Sequence, residues 1–158
     1  MITLNNKNFF IGVFFLSLIS ILSAIYIEYI IGIKPCTLCI YQRLPYIFAI
    51  FICSLGINYP TNLFWSYLVI LIFLISVLLS GYHIGIENGF FSEFTGCKNN
   101  NLQIVDKESL LEAIKNQNIS CKDVSFRIFG FSLATINLII SLTVLILAIT
   151  LVRNVRDR

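Results

Sequence analysis

The sequence predicts an all-α membrane protein, a four-transmembrane-helix bundle with one long polar loop that carries a short amphipathic surface helix. Three observations predict it. Hydrophobic residues make up 58% of the 158 positions and charged residues only 12%, with a mean hydropathy of +0.88. A soluble domain of this size cannot hide that much apolar surface, so part of its solvent must be lipid. The apolar residues fall into four runs of spanning length, and one stretch, about 87–128, holds most of the acidic residues. A net charge of +3 with scattered basic residues points away from nucleic acid. The whole chain, 1–158, reads as one domain without internal repeats.

The first run, Phe9–Ile31, is about 23 residues, roughly 34 Å as a helix and enough to cross a bilayer. Asn5-Asn6-Lys7, an apolar core and Ser23-Ala24 also resemble a cleavable signal. The run continues past Ala24 into a cysteine motif, which favours an uncleaved span. A second span covers about 40–59 if Arg43 snorkels to the interface. The short turn "NYPTN" then makes a tight hairpin with a third span at about 63–86. A fourth covers about 129–152. In the polar loop, "DKESLLEAIKNQN" has Leu110, Leu111 and Ile114 at helical spacing behind an Asp106 cap. A helix lying on the membrane surface and a solvent-exposed loop helix fit that pattern equally well. The "NIS" at 118–120 matches a glycosylation acceptor, a pattern common by chance.

Four spans place both termini on one side. Lys7, Arg153, Arg156 and Arg158 crowd the short tails, but seven basic residues lie on the other side. The raw count opposes cytoplasmic termini, while density near the helix ends favours them. Cysteine usage decides for cytoplasmic termini, because paired thiols on loops suit an oxidising compartment.

The five cysteines divide into a close pair, Cys36 and Cys39, a distant pair, Cys97 and Cys121, and a singleton, Cys53. In "PCTLCIYQR", Pro35 suits the start of a helix. Cys39 then falls in its first turn, where free N–H groups and the dipole favour an anion. Arg43, four residues on, shares that face. Both effects favour a Cys39 thiolate, and Arg43 has donors for a carbonyl or oxyanion at the membrane surface. A lone Cys-x-x-Cys is also half of a metal site. Its complement would have to be Cys97 and Cys121, which are 24 positions apart, and Arg43 opposes a cation. Thiol–disulfide exchange is therefore expected, and no metal. His83 and Glu87 share one face at the end of the third span. They fit an ordinary interfacial pair and a functional one in which His83 neighbours a bound cofactor beside Arg43. Glu28 reads as interfacial, and Cys53, mid-span, as an inert small hydrophobe.

The Cys-x-x-Cys followed by Gln-Arg after the first span, "GYHIGIENG" after the third, and a cysteine followed by "FRIFGFSLATINLIISL" resemble the disulfide bond formation protein B (DsbB) family. The related vitamin K epoxide reductase family has its two cysteine pairs in the opposite order. The resemblance implies an inner-membrane oxidase that reoxidises a periplasmic thioredoxin-fold dithiol protein (DsbA-like) and passes electrons to ubiquinone or menaquinone. By motif position it implies that Cys97 is attacked by the partner and that Cys121 is its loop mate, exchanging with Cys36. Cys39 would face the quinone, with Arg43, and more weakly His83, at the quinone. A family oxidase dedicated to one substrate, and a non-enzymatic protein with structural or metal-binding cysteines, are the rival readings.

Overall fold

The computed structural model describes residues 6–92, 121, 127–128 and 130–157. Cys97 and the expected surface helix at Leu110–Ile114 lie outside the described residues. Among the described residues, four helical spans are long and apolar enough to cross a membrane: Asn6–Tyr29, Thr37–Asn58, Leu63–Glu87 and Leu133–Arg156. The second is built from two helices, so the order is α1 (Asn6–Tyr29), α2 (Thr37–Tyr41), α3 (Leu44–Asn58), α4 (Leu63–Glu87), β1 (Arg127–Ile128), β2 (Phe131–Ser132) and α5 (Leu133–Arg156).

Each boundary has a local cause. Helix α1 stops at Tyr29, short of the expected Ile31. The Ile30 and Ile31 N–H groups both turn back to the Tyr26 carbonyl, and Gly32 takes a φ of 80°, a conformation that suits glycine. The second span breaks at Gln42–Arg43 because Pro45, in the first turn of α3, has no N–H to give the Tyr41 carbonyl. The Arg43 N–H bonds instead to the Ile40 carbonyl at 3.1 Å, one residue short of helical register. Asn62 caps α4 by accepting the Phe64 N–H at 3.0 Å. Helix α5 begins at Leu133, later than the expected 129. The residues before it form a two-residue antiparallel ribbon around Gly130, and the Ser132 hydroxyl caps Thr135 N–H at 3.2 Å.

Helix α1 packs on α3, α3 on α4, and α4 on α5. Phe10, Ala49, Cys53, Val69, Phe73 and Ala148 are fully buried at the centre. Phe51, Leu78 and Ile146 are 58–69% exposed, the pattern of a bundle whose outer surface meets acyl chains. Its interior is partly polar. Ser76 and Ser141 hydroxyls lie 2.8 Å apart between α4 and α5. The Tyr46 hydroxyl of α3 donates to Asn137 Oδ1 of α5. Hydrogen bonds between spans of this kind contribute about 0.6 kcal/mol each and select one helix arrangement.

The α1–α3 contact depends on Gly56. A Cβ there would sit 2.8 Å from ring carbons of Phe10, too close without a shift of a fully buried aromatic. Gly56→Ala is expected to cost about 1–3 kcal/mol, read as a lower unfolding midpoint in detergent. Gly12→Ala, which meets nothing within 4 Å, should leave that midpoint unchanged or higher.

Candidate functional site

Cys36 is the N-cap of α2, and its sulfur accepts the Cys39 backbone N–H at 3.3 Å. The short helix that follows brings the two sulfurs to 3.0 Å, about 1 Å beyond a disulfide bond. Cys36, Cys39 and Cys53 are free thiols, while Cys121 is disulfide-bonded. From α4, His83 completes the cluster, with Nε2 3.7 Å from Cys36 Sγ. The Gln42 amide, 3.0 Å from His83 Nδ1, orients the ring. Glu87 Oε1 lies 3.7 Å from Nε2.

These contacts converge on Cys36. The adjacent Cys39 thiol, then His83 and the Cys39 N–H, hold the Cys36 thiol well below its ordinary range, against burial, which pushes it up. The sequence-based argument had directed the anion to Cys39. The difference comes from the hydrogen bond to Cys39 and from the His83 ring of α4, both of which fall on Cys36. Arg43 Nη1 instead meets Glu28 Oε2 of α1 at 2.5 Å. Both side chains are about a quarter exposed, so the pair joins the end of α1 to the α2–α3 junction at the membrane edge.

Cys121 is 2% exposed and packs with Cys36, Leu38 and Ile86. A described sulfur of the polar loop therefore sits beside the first cysteine of the close pair. Cys53 lies in the central core beside Phe10 and Phe73, away from this cluster.

A cavity of about 390 Å³ opens between α1 and α5, and Cys36, Cys39, Arg43, His83 and Cys121 are among the residues that line it. Its walls are mostly apolar side chains of α1 and α5, and one of them, Ile19, is 61% exposed on the outer face. The cavity thus borders the lipid-facing surface. Its size is within the range of small-molecule sites.

Residues 6–151, nearly the whole chain, match the family described as disulfide bond formation protein DsbB. The chain belongs to the DsbB family. An uncharacterized protein of Rickettsia prowazekii (strain Madrid E) is 30% identical to it over 135 residues, covering 83% of this chain and 78% of that relative. DsbB membership carries disulfide oxidoreductase activity in general, here in a multi-pass membrane protein.

Of the site residues expected from sequence, Cys36, Cys39, Arg43, His83 and Cys121 line one cavity. Cys97 lies outside the described residues. Sequence reasoning missed Gln42 as the partner of His83 and Glu28 as the partner of Arg43. The second had a signal, since Glu28 is the lone acid in its apolar run and needs a counter-charge near the membrane.

The lowered Cys36 thiol predicts a pH profile. Because the folded value is depressed, the thiolate persists from neutral pH down into the acid range and is lost only as pH falls through the lowered value. Alkylation of Cys36 by iodoacetamide should therefore be nearly flat from pH 6 to 8. In Cys39→Ala the main stabilising contact is gone. The rate at pH 6 should then drop by more than about tenfold, because an ordinary thiol is almost fully protonated there. Equal profiles in the two proteins would contradict this account of Cys36.

Proposed function

We propose that this DsbB-family protein reoxidises a periplasmic thioredoxin-fold dithiol protein, DsbA-like, and delivers the electrons to ubiquinone or menaquinone in the bacterial inner membrane. The termini are cytoplasmic and the cysteine loops periplasmic. The observation that carries the reading is the cavity itself. It brings a close thiol pair, a sulfur from the polar loop and a cation into the lining of one mostly apolar space that borders the lipid-facing surface.

The relay takes the sulfur order that the family resemblance implies, and the packing of Cys121 beside Cys36 supports its middle step. The partner's thiolate attacks Cys97 of the loop disulfide, forming a mixed disulfide and releasing Cys121 as a thiolate. Cys121, packed beside Cys36, attacks it in the oxidised Cys36–Cys39 pair and releases Cys39 as a thiolate. The partner's second thiol closes its own disulfide and frees Cys97. Cys97 then attacks Cys121, restoring the loop disulfide and expelling Cys36. A thiol with a lowered pKa leaves faster, so the contacts gathered on Cys36 assist this last exchange. His83 Nε2, 3.7 Å from that sulfur, is placed to hold or return its proton.

A quinone supplies a two-electron, two-proton acceptor, and the residues present fit one. The apolar walls suit its ring, and Arg43 offers donors to a carbonyl oxygen. Glu28 holds that guanidinium in place without using all five of its N–H groups. Each turnover oxidises two thiols to the Cys36–Cys39 disulfide and yields one quinol.

Anaerobic mixing of the purified protein with a reduced thioredoxin-fold dithiol protein and ubiquinone should bleach the quinone absorbance. Cys39→Ser is expected to abolish the bleaching, and Cys53→Ser to leave its rate intact. Normal turnover by Cys39→Ser would end this mechanism. Arg43→Lys exchanges a planar fork for a point charge, so the apparent KM for quinone should rise about tenfold, close to 1.4 kcal/mol, with kcat less affected. A trapped partner adduct should form through Cys97 and accumulate in Cys121→Ser. Recovery of the adduct on Cys121 instead would reverse the order of the loop sulfurs.

A further inference from the structure

The reduced close pair has a third neighbour suited to metal chemistry. The ligand atoms of Cys36, Cys39 and His83 all lie within 4.8 Å of one another, two of the residues buried and one half-buried. The sequence had set a cation aside for want of a complementary cysteine pair and because of Arg43. The structure answers both objections, since the third ligand comes from α4 as an imidazole and Glu28 neutralises Arg43.

We propose that Cys36, Cys39 and His83 form a thiol-state-gated Zn²⁺ site, which captures the ion only when the close pair is reduced and then arrests electron transfer. Two thiolates and one imidazole make a borderline-soft donor set suited to Zn²⁺ in tetrahedral coordination. Ideal bond lengths put a sulfur and a nitrogen ligand about 3.6 Å apart and two sulfurs about 3.8 Å apart. Cys36 Sγ and His83 Nε2 are at 3.7 Å. The two sulfurs, at 3.0 Å, need only open by a small side-chain rotation. The Gln42 amide beside Nδ1 is placed to fix the tautomer. With its oxygen turned to accept Nδ1–H, the Nε2 lone pair is free for the ion. Three protein ligands leave a fourth position, with the Glu87 carboxylate beside the imidazole.

Binding is a proton exchange without a redox step. Zn²⁺ binds the pair as two thiolates, with any remaining thiol proton passing to solvent, and the imidazole binds in its neutral form. Both sulfurs are then held as ligands and cannot join. Oxidation of the pair removes two of the three ligands, so the disulfide form has no site. The arrest of turnover rests on the redox reading above, but the site itself does not.

The test uses the full chain in detergent, carrying Cys97→Ser and Cys121→Ser so that loop thiols contribute no ligands. Reduced protein titrated with Co²⁺ should bind one equivalent, with an intense sulfur-to-cobalt charge-transfer band that Zn²⁺ bleaches. The same protein oxidised with diamide should show no band. His83→Ala should weaken Zn²⁺ binding by more than about tenfold in competition with a chelator, since even losing an orienting partner of a ligand costs that much. No band in the reduced chain, an equal band in the oxidised chain, or unchanged affinity in His83→Ala would each overturn the proposal. Neither partner nor quinone is present. A failure here leaves the quinone reaction standing, and a failure of quinone bleaching leaves the metal titration to be judged alone.

Discussion

The site depends on one missing hydrogen-bond donor. Pro45 cannot serve the Tyr41 carbonyl, so the second span is two helices rather than one. The short α2 is free to take its own direction, which sets Cys36 and Cys39 against His83 of α4. The residue at the break, Arg43, turns to Glu28 of α1. A continuous helix would put Arg43 one turn beyond Cys39 on the same face and tie cation and thiol together. With the break, the Cys39 thiol, the imidazole and a backbone N–H gather on Cys36, and the arginine stands at the cavity with its own counter-charge.

The polar interior supports that arrangement from below. Tyr46, Asn137, Ser141 and Ser76 link α3, α4 and α5 through hydrogen bonds. Apolar contacts alone specify a bundle weakly in lipid, since acyl chains are as apolar as leucine. Directional bonds through Tyr46 and Asn137, which also line the cavity, therefore help to fix the rotation of α5, and with it the wall formed by Ala134 and Ile140.

Much of the fold was legible because lipid imposes a simple rule: runs of about 20 apolar residues become spans. The third span, Leu63–Glu87, ended within a residue of expectation because Asn62 and Asn88 bound it. The second span was placed where it lies, at Thr37–Asn58, but its break was not foreseen, although Pro45 stood in plain view in "QRLPY", because hydropathy does not register the loss of an N–H. Within the site, Cys36 and Cys39 were legible from spacing alone. Their neighbours were not. His83 is 47 positions from Cys36 and Glu28 is 15 from Arg43, and only the packing of α4 and α1 brings them near. The expectation of a Cys39 anion drew on the helix end and Arg43, and could not include His83, which reaches Cys36 from across the bundle.

Cys53 has a use that its chemical inertness conceals. It is fully buried beside Phe10 and Phe73, where α1 meets α3 and α4. A thiol reagent can reach it only after those helices part. The native chain thus carries its own gauge of bundle opening: labelling at Cys53 times the separation of the helices, while labelling at the cavity reports on chemistry. Both readings come from one digest, without an added probe.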